Sequence, residues 1–170
     1  MSSIYYASTY MEIWGNPHLK PYSTYETNLM WTIKSRHTLM AFAEFQPNYS
    51  VHLPYQTTDH LAVIMKETNF DYNHTIGIRA STTFGIGNWM NGSVSATGIY
   101  RHDKSNDFFD LPFNRKHISA ILSGNLSAHL SLSHHIPFIL NPFYQSEGIQ
   151  GLYDIKSVFL LVAILGCASD

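Results

Sequence analysis

The sequence predicts an all-β protein, an antiparallel up-and-down meander of about six or seven long strands. Three observations carry the prediction. Apolar and small polar residues alternate with period two in segment after segment, helical periodicity is hard to find, and the connections alternate between short and long. Period two places successive side chains on opposite faces, so each such segment is a strand with one apolar and one polar face.

In chain order, residues 1–14 read as a lead-in, an incomplete upstream strand. Gly15-Asn16-Pro17-His18-Leu19-Lys20-Pro21 follows, and its two prolines hold the preceding residues extended and cannot donate to a ladder. From Tyr25 to Lys34 the apolar parity is Tyr25, Leu29, Trp31 and Ile33, with Met30 out of place. Leu39, Ala41, Ala43 and Phe45 form the next apolar row, blurred by Met40 and Phe42.

The pattern sharpens further along. Ile76, Ile78, Ala80, Phe84 and Ile86 oppose Thr75, Gly77, Arg79, Ser81, Thr83 and Gly85, and Gly92 to Tyr100 alternate against Asn91 to Arg101. Ile118 to Ser133 is the longest two-faced stretch. It sets Ala120, Leu122, Leu126, Ala128 and Leu130 against Ser119, Ser123, Asn125, Ser127 and His129, and only Ile121 breaks it.

Glu26, Lys34, Glu44, Arg79 and Arg101 all fall on the polar parity. A charge at mid-bilayer on the lipid face of a strand costs roughly 2–4 kcal/mol, so this segregation is what a membrane wall demands. The short turns are Ser35 to His37, Gly87 to Trp89 and His134 to Pro137; the long loops are Gln46 to His60, His102 to Arg115 and Gln145 to Tyr153. Short turns at one end and long loops at the other describe a segment of a transmembrane β-barrel. Trp31, Phe84 and Trp89 fall near the short-turn end, and Tyr22, Tyr25 and Tyr100 near the long-loop end, as two interfacial girdles would.

Composition agrees. Charged residues make up 13% of the 170 residues, about half the globular norm, while 45% are hydrophobic and 14% aromatic. A formal charge of −2 and the absence of a basic patch exclude a nucleic-acid partner. The single cysteine, Cys167, forbids an internal disulfide. Met1 to Tyr6 lack the basic and apolar regions of a secretory signal, so the chain is cytoplasmic or its export signal lies on an upstream piece. Val158 to Leu165 is far shorter than the ~20 residues of a spanning helix but long enough for most of a spanning strand.

Ten histidines invite a metal, yet His134 and His135 are adjacent on an extended chain and point to opposite faces; the residues are read as holding none. Asp103, Lys104, Asp107, Asp110, Arg115 and Lys116 cluster in one long loop, where solvation competes with ligand contact as an explanation. Asp107 and Asp110 have nothing beside them to shift a pKa, and no nucleophile–base spacing or phosphate-cradling loop stands out. The expectation is a chain without catalytic residues or a cofactor. The sequons at Asn48, Asn73, Asn91 and Asn125 read most simply as polar-face residues.

The heptapeptide resembles the Gly-Asn-Pro-x-Leu-Lys-Pro segment of TonB-dependent receptor barrels, especially the outer-membrane β-barrel family of Bacteroidetes type. Gly15, Asn16, Pro17, Leu19, Lys20 and Pro21 carry the match. A second stretch looks like the segment near such a barrel's end, matched at Phe143, Tyr144, Gln145, Ser146, Gly151, Tyr153, Ile155 and Lys156. The resemblance implies that residues 15–156 are the C-terminal portion of a larger barrel in a Gram-negative outer membrane. No plug or TonB-box segment is matched, so it implies a wall fragment, not transport-competent alone. Residues 157–170 depart from the family's amphipathic last strand; this apolar tail reads as a truncated or frameshifted one.

On this reading Leu29, Trp31, Ile76, Ile78, Leu122, Leu126 and Leu130 face lipid. The partners expected are outer-membrane lipid and either the remaining strands of the barrel or other copies, through the open edges. The alternative is a soluble β-sandwich binding module, with the same apolar rows facing a shared core.

Overall fold

The computed structural model describes residues 4–8, 10–56, 62–131 and 136–166, and these contain strands and no helix. The main element is a seven-stranded sheet, the wall. It is built from β3 (Tyr25–Ile33), β4 (His37–Pro47), β7 (Tyr72–Ile86), β8 (Met90–Phe108), β9 (Leu111–Ser131), β10 (Ile136–Gln145) and β13 (Val158–Leu165). Their order is β13-β10-β9-β8-β7-β4-β3, every neighbouring pair is antiparallel, and the sheet is open.

Turns with positive φ at both central residues close two of the hairpins: Lys34 and Ser35 (φ 49° and 50°) in the three-residue connection between β3 and β4, and Phe109 and Asp110 (50° and 63°), the two-residue connection between β8 and β9. Positive φ at both central positions gives a turn whose twist suits the right-handed twist of the strands. Gly87 supplies positive φ between β7 and β8. In β10, Pro142 has no N–H, and the ladder to β9 has no pair at Asn141 or Pro142, between Leu140↔Leu126 and Phe143↔Ser123.

The predicted long loops turn out to be folded. His102 to Arg115 is mostly strand, because the β8–β9 ladder runs on as far as the pair Phe108↔Leu111. The long strand therefore starts at Leu111, earlier than expected. Beyond the wall, β4 continues past Asn48 into β5 (Ser50–Tyr55), which pairs with β6 (Val63–Asn69). Residues 4–14, read as one incomplete strand, hold β1 (Ile4–Ser8) and β2 (Met11–Trp14), and the four make a sheet of order β1-β2-β6-β5. Gln145 to Tyr153 contains the ribbon β11 (Gly148–Gln150) with β12 (Tyr153–Ile155).

The apolar tail forms β13, which pairs with β10 from Val158↔Gln145 to Leu165↔Phe138. Of the turn expected from His134 to Pro137, Ile136 and Pro137 belong to β10, while His134 and His135, with Leu132, Ser133, and Cys167 and the rest of the tail, lie outside the described residues.

The core lies at the long-loop end. Val51 and Leu53 of β5, Phe70 between β6 and β7, and Phe108 and Phe113 at the β8–β9 tip form one buried cluster. Phe70 meets Phe113 and Phe108 edge to face, with ring centroids 4.9 and 5.7 Å apart, an arrangement that aligns ring edges with π-faces. The two small sheets and the β8–β9 tip together make a cap on the wall.

Candidate functional site

Residues paired across an antiparallel ladder share a face, so the register sorts the wall into rows. On one face, from the turn end, the rows include Ile86–Met90–Ala128–Phe138–Leu165, then Trp31–Leu39–Ala80–Ala96–Leu122–Tyr144–Phe159, then Leu29–Ala41–Ile78–Gly98–Ala120, then Thr27–Ala43–Ile76–Tyr100–Ile118. No Asp, Glu, Lys or Arg stands on this face among the paired residues between the first and last of these rows. Ile118 to Ala128 is ten residue steps, about 33 Å at ~3.3 Å each. Tilted by ~40°, that is a band about 25 Å tall, the height of the apolar belt of a membrane barrel.

The next row towards the cap is Tyr25–Phe45–His74–His102–Lys116. Phe45 stacks on Tyr25 and meets His74 edge-on, and Tyr72 does the same to His102, so rings rim the band at the long-loop end. All seven residues expected to face lipid fall on this outer face. Leu29, Trp31, Ile76, Ile78, Leu122 and Leu130 are exposed and Leu126 is half-buried.

The inner face is its chemical opposite over most of the sheet. Its rows include Thr83–Ser93–Asn125, whose Asn125 Nδ2 donates to Asn141 Oδ1 of β10 at 2.6 Å, then Thr32–Thr38–Ser81–Ser95–Ser123, Glu26–Glu44–Thr75–Arg101–His117 and Gln46–Asn73–Asp103–Arg115. Of the five charges expected on the polar parity, four lie here and Lys34 sits in a turn. Arg79 Nε donates to Thr97 Oγ1 at 3.1 Å. The residues that blurred the alternation are also inward: Met30 pairs with Met40, Ile121 pairs with Thr97, and the Phe42 ring lies over Gly77. A Cβ at Gly77 would come within 2.1 Å of that ring, so glycine makes the room. The β13 edge is apolar inside as well, through Val158, Leu160, Val162 and Ile164.

Asp103 is fully buried where wall and cap meet. Its carboxylate accepts from Asn73 Nδ2, from Arg101 Nε at 3.1 Å and from the Gly151 N–H at 2.9 Å. A buried carboxylate with these donors is held by charge-assisted bonds, and leaving it unpaired would cost several kcal/mol. Gly151 belongs to the second motif and turns at φ +58°, with the Phe70 ring where a Cβ would stand.

The rest of that motif clamps the ribbon. The Ser146 backbone N–H donates to the Ala120 carbonyl and the Ser146 Oγ accepts the Ala120 N–H, both at 2.8 Å. Tyr153 donates its hydroxyl to the Pro54 carbonyl. Burial, with the neighbouring Tyr55, raises the Tyr153 pKa. Arg115 donates to the Leu152 carbonyl at 2.7 Å and to Asp154 at 2.6 Å, and that hydrogen bond, ahead of the Arg115 charge, lowers the Asp154 pKa. Phe143, Tyr144 and Gln145 lie in β10, and Ile155 pairs with Gly148.

The first motif docks on β6. Asn16 Nδ2 donates to the Glu67 carbonyl, and Asn16 Oδ1 accepts the His18 N–H, which folds the segment into a turn. Asn69 Oδ1 accepts from Lys20 N at 2.7 Å, while its Nδ2 reaches the carbonyls of Lys20 and Asn48. The charged cluster read as one loop is divided: Asp103 and Arg115 hold the cap, whereas Asp107 and Asp110 line a polar cleft of about 470 Å³ with His18, Lys20, Lys66 and Asp71. Asn69, Asn73 and Phe70, which join these parts, carry no local signal in the sequence, since their partners lie tens of residues away.

A family model described as "Outer membrane protein beta-barrel family" matches residues 2–165. No curated protein and no solved structure matches the chain.

Proposed function

Since the chain belongs to that outer membrane β-barrel family, we propose that it is a wall segment of a TonB-dependent-receptor-like barrel in a Gram-negative outer membrane. Its outer face meets lipid, its inner face lines a polar lumen, and its cap faces outward, where ligands arrive. The role of this segment is passive; solute uptake belongs to the intact barrel.

The observation that carries the reading is the division of charge between the two faces: none on the outer face over about 25 Å, and Glu26, Glu44, Arg79 and Arg101 within. The receptor type rests on the two motifs, which occur in the expected order and both act as clamps on the cap. Membrane fractionation tests the first part. The chain is expected with the outer membrane and in need of detergent; a soluble, cooperatively folding monomer without detergent sinks the reading and favours the sandwich. The receptor type is tested in the gene, where an in-frame upstream segment encoding a plug is expected, and a barrel gene without one would exclude it.

A further inference from the structure

Charge returns to the outer face of the wall at one place. The charge-free rows end at Tyr25–Phe45–His74–His102–Lys116, and the row beyond is Pro47–Tyr72–Lys104–Asn114. Among the paired residues of the wall, Lys104 and Lys116 are the outward-facing Asp, Glu, Lys or Arg side chains, whereas the carboxylates of Glu26, Glu44 and Asp103 all face inward.

Lys104 stands opposite Asn114 and Lys116 opposite His102, so the two lysines are diagonal neighbours on one face, about 7–8 Å apart. Neither enters an ion pair among the described residues; the carboxylates of Asp103 and Asp154 are taken by Arg101 and Arg115. Two ammonium groups this close repel each other, and with no counter-ion on their face the arrangement favours an anion between them. His102, whose Nε2 lies 2.7 Å from Asn114 Oδ1, and the Tyr72 hydroxyl, 3.4 Å from the same nitrogen, place further polar atoms at this spot.

On the membrane side of these lysines the outer face carries an apolar groove of about 510 Å³, lined by Leu29, Ala41, Ile76, Ile78, Tyr100 and Ile118 among others. Its floor is made by small residues, Ala41, Ala43 and Gly98, and a Cβ at Gly98 would meet nothing within 4 Å. A soluble anion would use the lysines and leave the groove empty. A membrane lipid with a phosphate in its headgroup uses both, because long lysine side chains reach from the apolar surface to the headgroup level.

We propose that Lys104 and Lys116 hold the phosphate of a phosphorylated lipid in the leaflet at the long-loop end, with one of its acyl chains in the groove over Gly98. The proposal deepens the membrane-wall reading and rests on it.

The test uses the protein extracted from outer membranes in non-ionic detergent. It is titrated with diphosphorylated lipid A, the glycolipid of a Gram-negative outer leaflet, and with the same glycolipid stripped of its phosphates, and binding is read by native mass spectrometry. The phosphorylated form should bind more than about tenfold tighter; Lys104→Gln and Lys116→Gln should each weaken it about fivefold, and the two together about thirtyfold. Lys34→Gln, in the turn at the other end of the wall, should leave it unchanged. Gly98→Leu, which fills the groove and spares the lysines, should weaken it as well. Equal affinity for the two glycolipids, full affinity in the double lysine variant, or an equal loss in Lys34→Gln would overturn the site. Full affinity in Gly98→Leu would mean that the lysines hold phosphate without its chains, and would overturn a lipid as the occupant. A protein absent from the outer-membrane fraction fails the wall reading instead, before any lipid is added.

Discussion

The wall and the cap solve the same problem in opposite ways. Apart from Ala128, every buried apolar residue among those described belongs to the cap or the β8–β9 tip it covers: Val51, Leu53, Ala62, Ile64, Phe70, Phe108, Phe113 and Ile149. The wall instead exposes Leu29, Trp31, Ile78, Leu122 and Leu130. The cap gains from taking apolar surface out of water within the chain itself, at ~25 cal/mol per Å². On the proposed membrane-wall reading, the wall makes that gain when a bilayer covers it, and until then it is held mainly by its ladders. A single strand, β9, passes from one regime to the other, packing Phe113 in a core and leaving Ile118 and Leu122 bare.

The sharpest way to break the contrast is Phe70→Ala. It empties the centre of a fully buried ring cluster and is expected to cost about 3–5 kcal/mol of local stability. Amides of β5, β6 and the β11–β12 ribbon should lose hydrogen-exchange protection while those of β7 to β10 within the band keep theirs; equal loss across both would mean that cap and wall are one cooperative unit. Next comes the adjacent pair Leu122→Arg and Ser123→Arg, at one height on opposite faces. In a bilayer folding titration the first should cost roughly 2–4 kcal/mol and the second close to nothing. Equal costs would deny that the two faces meet different solvents.

The smallest effect concerns the ribbon. Arg115 lowers the Asp154 pKa from its usual 3.8. A lowered folded-state value means that the pair stabilises the ribbon above the ordinary carboxylate pKa, and that this contribution is lost as pH falls through the lowered one. The exchange protection factors of Gly148 and Ile155, which divide out the intrinsic slowing of amide exchange by acid, should fall on acidification from about pH 6 to about pH 2 in the wild type, and that acid-dependent loss should vanish in Asp154→Asn. An unchanged profile in that variant would remove the ion pair from the account.

The wall was legible because alternation is local: the rows through Leu122 and Ser123 can be read from one stretch of chain. Even Met30, Met40, Phe42 and Ile121, which blur the pattern, keep to the inward parity and form apolar patches there. The cap was not legible, since what builds it is distant in sequence. The parallel pairing of β2 with β6, the grip of Asn69 on Lys20, and Gly151 donating to Asp103 leave no periodic trace. Runs of Asn, Asp, Gly and Pro read as open loops, although in three places their backbones continue into strands.

The bond from Tyr153 to the Pro54 carbonyl spans 99 residues, which sets an order of assembly. Hairpins such as β7–β8 can close early, because their partners are near in the chain, whereas contacts of long sequence separation form late. The cap's last side is supplied by residues 143–156, so Phe70, Phe108 and Phe113 stay uncovered until that segment has joined them. Completion of the cap thus reports that β10 has taken its place beside β9, and a chain cut before Gly151 would display an open aromatic cluster to whatever surveys unfinished proteins.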